Sequence, residues 1–551
     1  MGASEYTVDV LVVGSGSGGF AAAITAANAG AKVLMVESTE LIGGCSAMSG
    51  GGLWIPNNSL MQEAGVKDPI EEARIYLDDI IGDVGPASSS ERRTAFLTEG
   101  PKMVDFFRHL GVEFNYAKGY PDYYPNRRGG LAEGRCIDGG IFNLNELPKE
   151  WRKKIRGILP IPLTTKDAAL ISKTFSKTGR KALGTIIGKR LIGGKLTGKS
   201  YAGLGVALIG RLLKLALQKN VEIWIESPLV DLEKEGDKIT GALVSKQGNA
   251  IHVKAHKGII LAAGGFAKNL EMREKYHPKP ISIDWTSANP GDLGDGIIIG
   301  MKVGAETAIM DDAWWGPTLV NPNGTAQFMI WERSAPFSII VDTEGNRFMD
   351  ESASYVDCGH WQYEHNEKVP CIPAYMIIDS NHRNMYMLGM TPPKLTSKSA
   401  FTSGFLKKGN TVEELAKATG INAENLQKTV ERFNGFCVTG IDEDFDRGGN
   451  AYDRYYSDPE EAKPNPNLGP ITTPPFYAMK VWPGDLSTKG GLLSDEYARV
   501  LDKDLNVIEG LYVAGNNSAA VMGRTYAGAG ATIGPAMTFG YIAGKHVMEN
   551  H

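Results

Sequence analysis

The first forty residues alternate between two kinds of hydrophobic pattern. Residues 8–13 are apolar apart from Asp9 and rich in β-branched side chains, which is typical of a strand buried on both faces. Residues 20–29 are rich in alanine and predict a helix, and residues 32–36 predict a second strand. Because parallel strands need a crossover between them, this pattern predicts a strand–helix–strand unit of an α/β fold.

Apolar runs recur along the rest of the chain, and from 313 to 486 the composition changes to more Pro, Trp, Tyr and Asn. Buried strands and glycine loops return after this range, so we expect a second domain inserted into the first. The further predicted elements are helices within 70–110 and at 203–219, 294–300 and 535–543, and strands at 221–225, 239–244, 251–253, 257–265 and 510–514.

A glycine motif lies between the first predicted strand and helix. Gly14, Gly16 and Gly19 form G-x-G-x-x-G, and Glu37 ends the second strand eighteen residues later. The glycines allow a tight turn, a close approach of backbone to a pyrophosphate and close helix–strand packing, and the carboxylate can accept ribose hydroxyls. The motif in register with two strands and a helix predicts a dinucleotide site. A glycine-rich turn in an ordinary α/β sheet is the alternative.

The segment after Glu37 favours one class of dinucleotide. Residues 43–52 contain five glycines interleaved with Ser46 and Ser49. Such a loop can lie flat against a large ligand, and an isoalloxazine ring needs backbone contact beyond the pyrophosphate. A nicotinamide site would continue directly into its next strand and helix, so the loop predicts a flavin.

Composition limits the class of protein. With 42% hydrophobic and 22% charged residues, the 551-residue chain is typical of a globular protein with two or three domains. Its apolar runs stay below the ~18 residues of a membrane-spanning helix and no signal-peptide pattern begins it, so we expect a cytoplasmic protein. The five cysteines are odd in number and lack metal-ligand spacing, which predicts reduced thiols and no metal.

Residues 149–199 differ from the rest of the chain. They hold fourteen Lys or Arg against two acids, interleaved with apolar pieces at 155–163, 186–187 and 191–192. Basic side chains beside apolar ones suit an anionic membrane surface, at roughly 1 kcal/mol per charge. A solvated mobile insertion and a nucleic-acid surface are the alternatives, although Phe175 and one tryptophan offer little for base stacking.

The same segment contains a misleading motif. Residues 193–200 match G-x-x-x-x-G-K-[ST], the phosphate loop of ATPases. That loop follows a buried parallel strand, whereas Lys189 and Arg190 lie in the middle of the upstream segment. We therefore do not expect a nucleoside triphosphatase.

A loop further upstream carries four tyrosines. Tyr116, Tyr120, Tyr123 and Tyr124 fall within nine residues, and two interleaved prolines disfavour a helix. Packing of the loop onto its domain and lining of a binding pocket both explain such a run.

Several short segments together resemble a known fold, the FAD-binding fold shared by fumarate reductases and 3-ketosteroid dehydrogenases. Three others resemble the 3-ketosteroid Δ1-dehydrogenases in particular, and the likeness covers nearly the whole chain outside 149–199. The first group is 14–19 (GSGSGG), Glu37, 43–46 (GGCS), 262–265 (AAGG), 488–491 (TKGG) and 514–516 (AGN), and the second is 121–124 (PDYY), 346–355 (NRFMDESASY) and 523–530 (GRTYAGAG).

The resemblance implies an α/β architecture with a Rossmann-like FAD-binding domain and an inserted α+β substrate domain. The FAD-binding domain would span 1–312, with 149–199 as an insertion, the substrate domain 313–486, and the chain would return to the first domain at 487–551. Non-covalent FAD is implied, since no histidine attachment motif is apparent. The implied FAD-binding residues are Gly14, Gly16, Gly18, Gly19, Glu37, Ser38, Gly43, Gly44, Cys45, Ser46, Ser49, Gly50, Gly51, Ala263, Gly264, Asp295, Gly515, Asn516, Ala531 and Ile533.

The resemblance also implies a reaction, in which C2 of a 3-ketosteroid loses a proton and C1 passes a hydride to flavin N5. Tyr526 and the Gly530 N–H would polarise the C3 carbonyl, since donors aimed at that oxygen stabilise its enolate-like charge. Tyr355 would be the base. Because a tyrosine of pKa ~10 is a weak base, a second phenol would assist it, and Tyr123 is preferred to Tyr124 for that role.

Two features leave this assignment open. Ala527 and Ala529 stand where many family members have proline, so the aim of Gly530 depends on other contacts. Tyr526 could instead pack against the flavin edge, and Tyr355 could be an ordinary core tyrosine.

Three other activities share parts of this pattern. A 3-ketosteroid Δ4-(5α)-dehydrogenase uses similar groups with shifted geometry. A fumarate-reductase-type enzyme needs arginines that grip a dicarboxylate, and those of the second predicted domain match no such motif. A membrane-surface flavoprotein could carry electrons without oxidising a steroid. The expected partners are a 3-ketosteroid, an external electron acceptor such as a quinone, and lipid of the inner membrane face through 149–199, with no nucleic acid.

Overall fold

The structure is a computed structural model that describes residues 4–157, 162–171, 173, 177–389 and 391–549. Of the apolar positions in the basic segment, Ile158, Leu159, Ile161 and Phe175 lie outside these ranges.

An eight-stranded sheet lies at the centre of the first domain. Strand Ser4–Val13 is flanked on both sides by parallel strands, Val33–Val36 and Asn249–Leu261, and every side chain of Val33–Val36 is buried. Val13 pairs with Val36, so the turn after the first strand lies beside the end of the second. The other strands of this sheet are Glu222–Trp224, Leu229–Glu235, Lys238–Lys246, Arg499–Leu501 and Val507–Val513.

Helices cover this sheet, and two of them approach each other through glycines. Helix Ser17–Asn28 packs on Ile533–Glu549, where a Cβ on Gly540 would lie 2.2 Å from the Gly18 carbonyl oxygen. The last helix is thereby drawn close to the glycine turn. The first domain's other helices are Gly44–Met48, Ser59–Glu63, Ile70–Ile81, Ser90–His109, Leu204–Gln218, Leu270–Tyr276 and Asp295–Lys302, and short paired strands are Gly52–Trp54, Asn115–Tyr116, Cys136–Asp138, Phe142–Asn143, Tyr201–Ala202, Thr307–Ala308 and Gly491–Leu492.

A second, antiparallel sheet forms between residues 313 and 488. Its longest strand, Phe476–Thr488, pairs with Ala313–Val320 on one side and Ala374–Ile378 on the other. It runs two residues past the predicted domain limit at 486, and its end leads back into the first domain. The remaining strands are Ala326–Phe328, Ser338–Val341 and Lys407–Gly409, and the helices are Tyr355–Asn366, Ser380–Met385, Lys398–Thr402, Val412–Thr419, Ala423–Thr439 and Ala451–Tyr455.

The predicted α/β class is confirmed, and two elements differ from expectation. The strands predicted at 251–253 and 257–265 form one strand, Asn249–Leu261, because its first half pairs with the antiparallel strand Lys238–Lys246 while its second half crosses the buried parallel sheet. Only the second half of this strand is a continuous apolar run, so the sequence pattern does not show that the two halves are joined.

The described part of the basic segment between residues 165 and 196 is mostly helical, whereas residues 149–157 form turns and an isolated bridge from Ile155 to Ile42. Its helices are Thr165–Ile171, Lys177–Gly184, the wider i→i+5 helix Thr185–Ile192, and Gly193–Leu196. The residues before the ATPase-like motif are therefore helix and not the strand that a phosphate loop follows. Among the described residues, no helix is both long and apolar enough to cross a membrane.

Candidate active site

The glycine turn at the end of the first strand brings backbone and an acid together. Gly14 has φ +103°, and a Cβ there would lie 2.3 Å from the Ala262 carbonyl oxygen, so only glycine fits. Glu37 is buried beside this turn, and its carboxylate accepts hydrogen bonds from Ser15 Oγ at 2.6 Å and Thr39 N–H at 3.0 Å. The turn and the carboxylate form one end of a cleft.

Two glycines from different loops face each other across this cleft. A Cβ on Gly44 would lie 4.0 Å from the Gly16 Cα, and one on Gly16 would come no nearer than 3.7 Å to any atom, the Ser46 Oγ. A Cβ on Gly515 would likewise stay 3.8 Å from its nearest neighbour, Ala536. This space between bare backbones suits a pyrophosphate and a flat ring, so the residues present fit FAD.

The predicted loop residues interlock around the same cleft. Ser46 Oγ accepts the N–H of Ser17 at 3.2 Å, and Ser49 Oγ donates to the Ser46 carbonyl at 2.7 Å. Cys45 Sγ accepts two hydrogen bonds from Asn289, and burial raises the pKa of its thiol to about 12. The thiol is therefore protonated at neutral pH and acts as a polar contact, not a nucleophile.

The other predicted residues lie at the same end of the sheet. Ser38 Oγ lies 3.4 Å from the Glu37 carboxylate, and the Gly43 N–H donates to Ser15 Oγ. Gly18 and Gly19 lie in helix Ser17–Asn28, and Gly50 and Gly51 follow Ser49. The Ala263 N–H donates to Asn517 Oδ1 at 2.9 Å, Gly264 has φ +88°, Asn516 Oδ1 accepts from Trp314, and Ala531 and Ile533 lie just before and at the start of the last helix.

Asp295 is placed less centrally than a neighbouring acid that the sequence analysis did not select. Asp295 is an exposed residue at the start of helix Asp295–Lys302. Asp292 is buried, and its carboxylate accepts the Gly265 N–H at 2.6 Å and the Ser487 hydroxyl at 2.7 Å. Through these two hydrogen bonds Asp292 connects the long strand Phe476–Thr488 to the glycine turn after Leu261. Burial raises the pKa of its carboxyl to about 6.

Three tyrosines from distant parts of the chain form one buried cluster. The ring centroids of Tyr355 and Tyr526 are 4.9 Å apart, those of Tyr123 and Tyr526 are 5.1 Å apart, and those of Tyr123 and Tyr355 are 5.4 Å apart. Each of the three is 4% exposed. The structure thus brings the three predicted phenols together from three distant parts of the chain.

Gly530 follows Tyr526 by four residues in the loop before the last helix. Burial raises the pKa of Tyr526, while hydrogen bonds with Thr532, Tyr355 and the Gly530 amide oppose that rise. Gly530 has φ +94°, and a Cβ there would lie 2.4 Å from the carbonyl carbon of Gly52, so glycine is required. The loop therefore carries a phenol and a backbone amide four residues apart, two donors of the kind that a carbonyl oxygen accepts.

The loop that carries Tyr526 is held without the family's prolines. The carbonyl of Ala527 accepts hydrogen bonds from Tyr76 Oη at 2.6 Å and Tyr123 N–H at 3.0 Å. Asp122 bridges to Gly528 as an isolated strand pair and also accepts the Trp54 indole N–H at 2.8 Å. These contacts fix the loop that Ala527 and Ala529 leave without prolines.

Tyr124 points elsewhere. Its hydroxyl donates to Asp357 Oδ1 at 2.9 Å, and it is only partly buried, whereas Tyr123 lies in ring contact with both Tyr355 and Tyr526. The geometry favours Tyr123 for the assisting role.

Burial raises the pKa of Tyr355 well above 10, and the neighbouring phenols of Tyr123 and Tyr526 raise it further. Its backbone position has an opposite influence. Tyr355 is the first residue of helix Tyr355–Asn366, where the helix dipole favours negative charge. The cluster thus favours neutral phenols, and a phenolate within it needs a nearby positive charge.

Sequence reasoning missed a second group of tyrosines. Tyr452 packs on Tyr123 with centroids 4.1 Å apart, Tyr455 stacks on Tyr120 at 4.2 Å, and Tyr120 Oη lies 2.6 Å from Tyr456 Oη. The run YDRYY at 452–456 was the available signal, since it repeats the tyrosine density of 116–124.

We expect Gly14→Ala to lose FAD, because the added methyl would overlap the Ala262 carbonyl and displace the turn. Flavin content, measured by absorbance of the purified protein, should fall by more than tenfold. Gly30→Ala is the matched control, since Gly30 also has a left-handed φ of +95° but no atom within 4 Å of its Cβ position. Equal flavin content in both variants would contradict the placement of the cofactor at this turn.

Known proteins are similar to this chain over most of their length. A model of the FAD binding domain family matches residues 9–533. The chain is 42% identical to the 3-oxosteroid 1-dehydrogenase of Mycolicibacterium smegmatis, over 98% of this chain and 97% of that protein. It is 33% identical to the 4-oxocyclohexanecarboxylate 2-dehydrogenase of Sinomonas cyclohexanicum, over 99% and 94% of the two chains.

A solved structure is also closely similar. The 3-ketosteroid Δ1-dehydrogenase of Sterolibacterium denitrificans, in complex with 1,4-androstadiene-3,17-dione, superposes with a TM-score of 0.94 at 36% identity, over 99% of this chain and 100% of that one. The predicted resemblance and the predicted FAD are confirmed. The chain belongs to the FAD binding domain family, in the group that contains the 3-oxosteroid 1-dehydrogenases.

Proposed function

We propose that this protein is an FAD-dependent 3-oxosteroid 1-dehydrogenase, which forms the C1–C2 double bond of a 3-ketosteroid. The observation that supports the proposal is the buried cluster of Tyr123, Tyr355 and Tyr526, which come from three distant parts of the chain. Similarity to the named dehydrogenases over nearly the whole chain supports it.

The phenols and the amide divide the work of removing a proton. The steroid C3 oxygen accepts hydrogen bonds from the Tyr526 hydroxyl and the Gly530 N–H, and these fixed donors stabilise the charge that grows on it as C2 is deprotonated. Tyr355 takes the C2 proton on its phenolate oxygen. Tyr123, in ring contact with both tyrosines, donates to that phenolate and makes it easier to form.

FAD, when bound, supplies the acceptor for the hydride that leaves C1. Glu37 would hold the adenosine ribose, Gly14, Gly16 and Gly44 would line the pyrophosphate, and the N-terminus of helix Ile533–Glu549 would face the flavin ring. Turnover also needs an external electron acceptor, for which we propose a quinone.

The arginines of the second domain are engaged by the protein itself, which fits a neutral ketone better than a dicarboxylate. Each of them forms an ion pair or donates to a backbone carbonyl. They are Arg347 and Arg447 with Glu351, Arg432 with Asp444, and Arg333, Arg383 and Arg454 with carbonyls.

Anaerobic titration of the purified protein tests the proposed activity and its rivals. We expect cholest-4-en-3-one or androst-4-en-3-one to bleach the flavin and to gain a C1–C2 double bond, as located by NMR. A C4–C5 double bond formed from 5α-androstan-3-one would favour the Δ4 enzyme. If 4-oxocyclohexanecarboxylate alone bleaches the flavin, the substrate is a cyclohexanone acid and not a steroid. If no ketone bleaches it, the protein is an electron carrier that does not oxidise ketones.

We expect Tyr355→Phe and Tyr526→Phe each to lower kcat by well over tenfold with FAD retained, since acid–base groups contribute about 10²–10⁴. Tyr363→Phe is the control, because Tyr363 is a buried tyrosine of the same helix as Tyr355 whose hydroxyl donates to the Pro280 carbonyl at 3.3 Å. Near-normal turnover in either first variant would remove that tyrosine from the mechanism.

The reaction should accelerate with pH. Burial raises the pKa of Tyr355, so its phenolate is scarce at neutral pH and its population grows up to about tenfold per pH unit below that pKa. We expect kcat/KM for the steroid to rise steadily from pH 7 towards pH 10. A plateau or a decline across that range would contradict a phenolate base with a raised pKa.

We further propose that the basic segment binds an anionic membrane surface, and that the substrate is a water-insoluble, sterol-derived ketone. The described part of the segment exposes apolar side chains among its lysines: Ile187, Ile192 and Leu196 are 43%, 54% and 83% exposed. Apolar groups surrounded by cations suit a lipid interface. The exposed basic residues are Lys149, Lys153, Lys166, Arg180, Lys181, Lys189, Lys195 and Lys199.

Replacing Ile187, Ile192 and Leu196 together by Ser should move the protein from vesicles to supernatant by more than tenfold. Vesicles containing phosphatidylglycerol should bind the wild type, less so at high salt, and phosphatidylcholine vesicles should not. The matched control replaces Leu395, Val438 and Ile441, which are 65%, 81% and 62% exposed in the second domain. Equal sedimentation of both triple variants would defeat this proposal.

A further inference from the structure

A buried arginine of the second domain lies behind the tyrosine cluster. Arg333 is 1% exposed, and its Nη1 donates to the carbonyls of Glu351 and Ala353, each at 2.6 Å. Ala353 lies two residues before Tyr355, so the guanidinium holds the turn from which that tyrosine projects.

The charge of Arg333 is not paired as those of its neighbours are. Arg347 and Arg447 both form ion pairs with Glu351, at 2.8 and 3.3 Å. The contacts of Arg333 in the described chain are instead carbonyl oxygens and the Cys358 sulfur, and its Nη2 is buried there without a hydrogen-bond partner. Its positive charge is therefore available to other groups nearby.

Tyr452 interacts electrostatically with Arg333 and packs on Tyr123, one of the three clustered phenols. Its hydroxyl is also buried without a normal hydrogen bond in the described residues. Burial raises the pKa of Tyr452, while the charge of Arg333 opposes that rise. Because the ring of Tyr452 packs 4.1 Å from that of Tyr123, the line from Arg333 runs through Tyr452 and Tyr123 to Tyr355.

We propose that Arg333 is a positioning residue whose buried cation, acting through Tyr452 and Tyr123, stabilises the phenolate of Tyr355, while its Nη1 fixes the turn before that tyrosine. This inference rests on the proposed function, in which Tyr355 is the base. A positive charge in an apolar surrounding acts strongly on neighbouring groups, because little water is present to screen it. The cation supplies what the cluster of neutral phenols cannot.

Other titratable groups face this arrangement from several elements, and any shift in pH dependence has to be assigned against them. The acids Asp350 and Asp453 both have a raised pKa because they are buried, so they offset the cation less than ionised carboxylates would. The groups that interact with Arg333 or with the cluster include Glu332, Cys136, Cys358, Asp350, Glu351, Asp357, Asp453, Arg447, Tyr120, Tyr123, Tyr124, Tyr355, Tyr452, Tyr456 and Tyr526.

The test compares pH profiles of kcat/KM for a 3-ketosteroid among Arg333→Gln, Arg333→Lys and wild-type holoenzymes. We expect R333Q to move the rising limb about one pH unit higher, which lowers the rate at a fixed pH below it about tenfold, while KM and FAD content change less than twofold. R333K keeps the charge and should retain the wild-type profile. An unmoved R333Q profile, or an R333K profile moved as far as that of R333Q, would overturn the proposal.

Arg447→Lys is the matched control, since Arg447 is equally buried in the same frame and donates to the carbonyls of Arg333 and Ser338. It should lower the thermal midpoint but leave the profile in place. Where R333Q fails to fold, Tyr452→Phe gives the answer, because removal of that hydroxyl should also move the limb upward and a wild-type profile would overturn the proposed path. A wild-type enzyme without steroid activity would refute the proposed function itself and so is distinguishable from either result.

Discussion

The site depends on keeping a negative charge tolerable among buried aromatic rings. Burial raises the pKa of every phenol in the cluster, so a phenolate at Tyr355 costs free energy unless a donor or a cation stabilises it. The same burial makes the donors effective, because a hydrogen bond or a cation acts more strongly where water is excluded. Burial therefore both raises the pKa of the phenols and strengthens the interactions that stabilise a phenolate.

The fold meets this demand by taking each phenol from a different part of the chain. Tyr123 comes from a loop of the first domain, Tyr355 from the start of a helix in the second, and Tyr526 from the loop before the last helix. The long strand Phe476–Thr488 connects the domains and ends beside Asp292, which ties it to the glycine turn. The distance between cofactor residues and phenols is thereby set by rigid elements.

Sequence patterns revealed the parts of the molecule that obey local rules. The glycine turn at Gly14 and the buried strands around it follow from backbone geometry and side-chain periodicity, and both are visible in one dimension. Tyr452 was missed because its role depends on a contact with Tyr123, more than three hundred residues away, that no local pattern encodes.

The acids near the cofactor residues show the same limit. Asp295 stands out in sequence because it opens a helix, whereas Asp292 looks like an ordinary loop residue and is buried only through its contacts with Gly265 and Ser487. Arg333 likewise matches no motif, and its burial against Glu351 and Ala353 becomes visible only once the second domain is folded. Long-range burial, and not local pattern, decides these roles.

The most direct measurement is a crystal structure of the holoenzyme with a bound 3-oxo-1,4-diene steroid. The account predicts that the steroid C3 oxygen lies within about 2.6–3.2 Å of both Tyr526 Oη and the Gly530 nitrogen, with C2 facing Tyr355 Oη. A steroid whose C3 oxygen binds away from Tyr526 and Gly530, or whose C2 faces away from Tyr355, would contradict it.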